Sequence, residues 1–81
     1  MRSQLPVALS DVLDVGTGTG LVARIVAALG HHVTAIDLAA GMLKVARERT
    51  ALDHLDVHFL LGDAVSPPFA PASFDVVISR S

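Results

Sequence analysis

The stretch Asp11-Val12-Leu13-Asp14-Val15-Gly16-Thr17-Gly18-Thr19-Gly20-Leu21 decides the fold. Its first five residues are short and rich in β-branched side chains, and they run at once into a glycine cluster, the pattern of a buried strand that ends in a tight turn. From Thr19 to Leu29 the large apolar residues Leu21, Val22, Ile25, Val26 and Leu29 form a stripe at helical spacing, and Gly30 stands where a helix C-terminal glycine belongs. Strand, glycine turn and helix are therefore expected in that order.

Working outward, His32 to Ile36 reads as a second strand closed by Asp37. Ala39 to about Thr50 reads as a second helix, with Met42, Leu43 and Ala46 on its apolar side and Lys44, Arg47 and Glu48 opposite. Val57 to Leu61 makes a third strand ending at Gly62-Asp63, and Phe74 to Ser79 a fourth. Between them Ala64 to Ser73 is broken by Pro67, Pro68 and Pro71. Such alternation predicts an α/β fold with a parallel, Rossmann-like sheet, because parallel neighbours need a crossover that a helix supplies. Right-handed crossovers put both helices on one face, and a fourth strand returning beside the first gives the order three, two, one, four. That reversal creates a switch point at the carboxyl end of strand one, where open α/β sheets bind ligands.

Composition narrows the partners. Eighty-one residues suffice for one small domain, and 52% hydrophobic against 17% charged residues is the reverse of a disordered chain. A net charge of −2 without a block of like charges offers no basic stripe, so neither nucleic acid nor a membrane surface is expected as a partner. The absence of cysteine excludes a disulfide framework and any thiolate metal site and fits a reducing, cytoplasmic setting. No signal-like or membrane-spanning stretch is present in the sequence. His31, His32, His54 and His58 form no metal-ligand pattern. Residues 1–10 read as a leader, and 11–81 carry the motifs.

Each strand end carries something unusual: Gly16, Gly18 and Gly20 after the first, Asp37 after the second, Asp63 after the third, and Ser79-Arg80 after the fourth. The glycines let the backbone turn sharply and approach a ligand, and Asp37, about 20 residues past the first of them, is positioned to accept hydrogen bonds from the two hydroxyls of a ribose. A nucleoside-containing ligand follows. A dinucleotide fingerprint, G-x-G-x-x-G/A, would need a small residue where Leu21 stands; the register here is G-x-G-x-G.

With that register the chain resembles the class I, Rossmann-like methyltransferases that use S-adenosylmethionine, and in particular their small-molecule, type 11-like domains. The family's first motif matches Asp14-Val15-Gly16-Thr17-Gly18-Thr19-Gly20. Its strand-two acidic residue matches Asp37, its Gly-Asp-Ala and Pro-Phe segments match Gly62-Asp63-Ala64 and Pro68-Phe69, and its Phe-Asp-Val-Val matches Phe74 to Val77. The resemblance implies that Asp14 and the loop of Gly16, Thr17, Gly18 and Gly20 hold the aminoacyl end of the cofactor. It implies Asp37 at the ribose, Leu38 and Met42 at the adenine, Asp63 at the adenine amino group, the backbone of Ala64 at a ring nitrogen, and the carbonyl of Ser79 near the methionine portion. No catalytic residue is assigned.

Simpler roles stand beside these. Asp14 could be a strand-end residue, Asp37 the N-cap of the second helix, a role compatible with ribose binding, Asp63 a turn aspartate and Asp75 a solvated or backbone-bonded residue opening strand four. The rival functions are a nicotinamide-dependent oxidoreductase and a truncated, non-catalytic fold. The family sheet has seven strands and this reading reaches four, the cofactor-binding half. Alone, the chain is expected to pack loosely, to self-associate through its exposed fourth strand and to be inactive.

Overall fold

Residues 9–63 and 74–79 are those that the computed structural model describes. Along them run β1 (Asp11–Val15), α1 (Leu21–Ala28), β2 (His32–Asp37), α2 (Ala40–Leu52), β3 (Val57–Leu61) and β4 (Val76–Ser79). The strands form one parallel sheet in the order β3-β2-β1-β4, the order expected from the sequence.

Register decides which residues share a face. Val12 lies opposite Val33, which lies opposite Val57; two residues on, Asp14 lies opposite Ala35 and Ala35 opposite Phe59. Because strand side chains alternate, these residues all point to the same side. There Val12, Val33, Ala35 and Phe59 join Ala23 of α1 and Leu43 and Ala46 of α2 in one core cluster, so both helices cover that face.

Several expected details change. Helix α1 turns its small residues inward: Ala23 is fully buried and Val26 and Ala27 pack on the core, while Leu21, Ile25 and Leu29 of the expected stripe are more than half exposed. The reason is the close approach at its start. Gly20, the N-cap, has φ +80°, and a Cβ there would come 3.1 Å from the Ala46 Cβ. A helix seated so near α2 has room beneath it for alanine rather than leucine. Its far end is as expected, since Gly30 at φ +97° donates its N–H to the Ala27 carbonyl at 2.9 Å.

Helix α2 starts at Ala40 and runs on to Leu52. Leu43, Ala46 and Thr50 are its buried residues, with the Thr50 hydroxyl donating to the Ala46 carbonyl at 2.6 Å. Met42, grouped with the apolar side in sequence, is instead 45% exposed on the first turn. Strand β4 begins at Val76 rather than Phe74 because Asp75 is occupied in a clasp. The Asp75 N–H donates to the Asp11 carbonyl at 2.8 Å, and the Asp11 N–H donates to Asp75 Oδ2 at 2.9 Å. Asp75 is thus the backbone-bonded residue that the simpler reading expected. The proline-broken segment with Ala64 and Pro68-Phe69, residues 1–8 and Arg80 lie outside the described residues.

Candidate functional site

At the carboxyl edge of the sheet, Val15 of β1 is paired with Ile36 of β2, and Asp37 with Leu61 of β3. The chain leaves each strand here, and the loops enclose a cleft of about 160 Å³ lined by Val15, Gly16, Ile36, Asp37, Leu38, Gly62 and Asp63. Small-molecule pockets run to about 300–1,000 Å³, so this cleft fits one portion of a ligand rather than the whole. Its apolar walls, Val15, Ile36 and Leu38, stand beside two carboxylates, an arrangement suited to a flat ring carrying hydroxyl or amino groups.

The glycine loop is held by the end of β2. The N–H groups of Gly16 and Thr17 both donate to the Ile36 carbonyl, at 2.9 and 3.1 Å, and the Gly18 N–H donates to Asp37 Oδ2 at 2.8 Å. Gly16 and Gly18 have φ of +72° and +58°, in the region that disfavours side chains, and a Cβ at either would meet nothing within 4 Å. Space beside the loop is therefore open. Asp37 Oδ1 accepts from the Ala39 N–H at 2.9 Å, and the Asp37 backbone carbonyl accepts from the Gly62 N–H at 3.0 Å. The N-cap of α2 is Ala39, without a side-chain capping bond, so Asp37 secures the turn before the helix instead of capping it.

Of the residues singled out in sequence, Gly16, Asp37, Leu38 and Asp63 come together as cleft lining. Gly18 adjoins through its bond to Asp37, and Leu38 is 71% exposed. Asp14 is fully buried and, by register, on the helix-covered face. Thr17 is 2% exposed, and its Oγ1 has no hydrogen-bond partner among the described residues. The absent side chain of Gly20 would point at Ala46 and Phe59, which makes this glycine part of the helix packing. Met42 is exposed on the first turn of α2, Ser79 ends β4 opposite Val15, and Ala64 is outside the described residues. Val15, Ile36 and Gly62 were missed as lining. Their signal was position, since each directly precedes Gly16, Asp37 or Asp63. Among the described residues no three His, Asp or Glu side chains gather as a metal site, and no helix there is long and apolar enough to cross a membrane.

A parallel sheet whose glycine turn and strand-two aspartate meet at the switch point is the architecture of a Rossmann-like nucleotide- or nucleoside-binding domain. Within that class the chain belongs to the methyltransferase domain family, whose model matches residues 12–81. It is 45% identical over 76 residues to the demethylmenaquinone methyltransferase of Clavibacter sepedonicus, covering 94% of this chain and 31% of that protein. To the malonyl-[acyl-carrier protein] O-methyltransferase of Serratia marcescens it is 46% identical over 69 residues, 85% of this chain and 26% of the other. Among solved structures, a SAM-dependent methyltransferase from Methanosarcina mazei superposes with a TM-score of 0.79 at 27% identity, covering 85% of this chain and 35% of that one. The chain thus spans about a third or less of the length of these proteins.

Proposed function

We propose that the chain is the S-adenosylmethionine-binding segment of a methyltransferase that acts on a small-molecule acceptor. The observation that carries this reading is the Asp37 carboxylate at the cleft. A carboxylate has about four lone-pair sites; the N–H groups of Gly18 and Ala39 use one on each oxygen. One site on each oxygen is left, the number that the two hydroxyls of a ribose require.

Other features fit the same ligand. Val15, Ile36 and Leu38 offer an apolar wall to a purine, Asp63 an acceptor to its amino group, and the exposed Met42 a further apolar surface beside α2. The buried Thr17 hydroxyl lacks a partner among the described residues, and leaving such a group unsatisfied costs about 1–3 kcal/mol. A polar atom at the aminoacyl end of the cofactor would relieve that cost. In this reading Gly16 and Gly18 keep the loop free of side chains on its ligand side, Asp14 and Gly20 support the loop from the core, and the Ala64 backbone and Ser79 carbonyl complete the adenine and methionine contacts.

The cofactor supplies an electrophilic methyl group on a sulfonium. The residues named here bind and orient it, which is the main contribution that in-line transfer asks of a protein. A nicotinamide dinucleotide fits less well. A pyrophosphate against Gly18 would meet the Asp37 carboxylate, which already holds the Gly18 nitrogen at 2.8 Å, and Leu21 stands at the fingerprint's third small position. The acceptor being small is supported by the relative named for demethylmenaquinone and by the lack of a basic run in the sequence for nucleic acid. We further assign the protein to the cytoplasm on its cysteine-free composition, and expect the exposed β4 edge to drive self-association when nothing else covers it.

Titration calorimetry on the longest natural form of the protein, with S-adenosylhomocysteine and separately with NAD, tests the proposal. Saturable binding of S-adenosylhomocysteine alone is expected. Saturable NAD binding with no response to S-adenosylhomocysteine would overturn it.

A further inference from the structure

Asp37 is joined to each of the three loops described at the carboxyl edge. Its Oδ2 accepts from Gly18 in the β1–α1 loop, its Oδ1 from Ala39 at the start of α2, and its own carbonyl from Gly62 after β3. The side chain itself is only partly buried, so these bonds are made at the rim of the cleft rather than inside the core. The neighbouring Ile36 carbonyl holds Gly16 and Thr17. Three successive amides of the glycine loop are thus anchored on two consecutive residues of β2, and only the bond to Gly18 depends on a side chain.

We infer that Asp37 is a positioning residue as well as a ligand contact: its carboxylate clamps the glycine loop to the start of α2 and sets the shape of the cleft before any ligand arrives. The inference deepens the reading of this site as a nucleoside site, but the clamp itself consists of two protein–protein bonds and exists without the cofactor. Its consequence is preorganisation. A loop with positive φ at Gly16, Gly18 and Gly20 has many other conformations open to it, and ordering it only on binding would weaken affinity. Because one lone-pair site per oxygen remains, ligand hydroxyls add to the clamp without displacing it.

Amide hydrogen exchange by NMR on the ligand-free full-length protein tests this, comparing wild type with Asp37→Ala and Asp37→Asn. A hydrogen bond to a charged acceptor corresponds to roughly ten- to hundredfold slowing. Gly18 and Ala39 amides should be slowed to that degree in wild type, and both should lose the slowing in Asp37→Ala. Gly62, bonded to the backbone carbonyl of residue 37, should keep its rate and serves as the internal control. Asp37→Asn retains one acceptor oxygen, so one of the two amides should stay slow and the other quicken, a split that general destabilisation would not produce. If Asp37→Ala also speeds exchange in β1 and β2, the Asn variant alone decides.

Unprotected Gly18 and Ala39 amides in wild type would overturn the clamp, as would rates unchanged by either substitution. Adding S-adenosylhomocysteine afterwards separates the two claims. Clamp rates as expected with no ligand response would leave the clamp standing and sink the cofactor reading. Loss of Gly18 protection on binding would contradict a clamp that persists beneath the ligand.

Discussion

Strands β2 and β4 flank β1 on either side, both apolar and both paired in parallel register, yet they end in opposite surroundings. In β2, Val33, Ala35 and Ile36 are at most 4% exposed, and the strand delivers Asp37 into a set of bonds joining three loops. In β4, Val76 and Val77 are 44% and 55% exposed. Valine and isoleucine occur in both strands, so the difference in their exposure arises from their neighbours. β2 has helices on one face and a strand on each side, whereas β4 is an edge. Apolar sequence shows that a strand is made to be covered, and the extent of cover among the described residues distinguishes the middle of the sheet from its β4 edge.

The contrast can be broken by substitution, beginning on the covered side. Leu43→Ala removes a side chain 1% exposed in the core beneath α2 and should cost about 2–5 kcal/mol, read as a fall in the denaturation midpoint. Loss of less than 1 kcal/mol would mean that the helix face is not a packed core. Asp37→Ala should weaken S-adenosylhomocysteine binding by roughly 1.5–3 kcal/mol in calorimetry while the chain stays folded, since it removes bonds to a charged acceptor. Wild-type affinity in that variant would remove Asp37 from the site.

Matched substitutions on β2 and β4 should differ in cost. Val33→Ala deletes carbon atoms from a buried position and should cost about 2 kcal/mol, whereas Val77→Ala, on the exposed strand, should stay within about 0.5 kcal/mol. Equal costs would show that β4 is covered after all. Val77→Lys puts a charge on that edge strand and should shift sedimentation of the chain toward monomer with little change in its denaturation curve. A wild-type chain already monomeric at high concentration would refute self-association through β4.

Much of this organisation is legible in the sequence for identifiable reasons. β1, β2 and β3 each end at a glycine or aspartate that interrupts an apolar run, their alternation with helices calls for parallel neighbours, and the handedness rule puts both helices on one face. The rotation of α1 is not legible. Ala23 and Ala27 recur at the same helical spacing as Leu21 and Ile25, and only the close seat of Gly20 against Ala46 selects the small pair for the inside. Met42 and Leu43 likewise differ in burial through helix rotation alone. At the site, Asp37 stands out by its distance from the glycines, but its bonds to Gly18 and Ala39 depend on loop paths that spacing does not determine. Gly20 belongs to the same motif as Gly16 and yet faces the core, because successive glycines of a turning loop point in different directions.

The proposed ligand seat is the cleft at the end of β2. Its most direct test is a map of amide chemical-shift changes as S-adenosylhomocysteine is titrated into the isotopically labelled protein. Saturating changes are expected at Gly16 to Gly18, Asp37 to Ala39 and Gly62-Asp63, with little at the groove formed by Leu21, Arg24, Ile25, Ala28, Asp53 and Leu55 beside α1. Saturating changes centred on that groove, or no change at millimolar ligand, would contradict it.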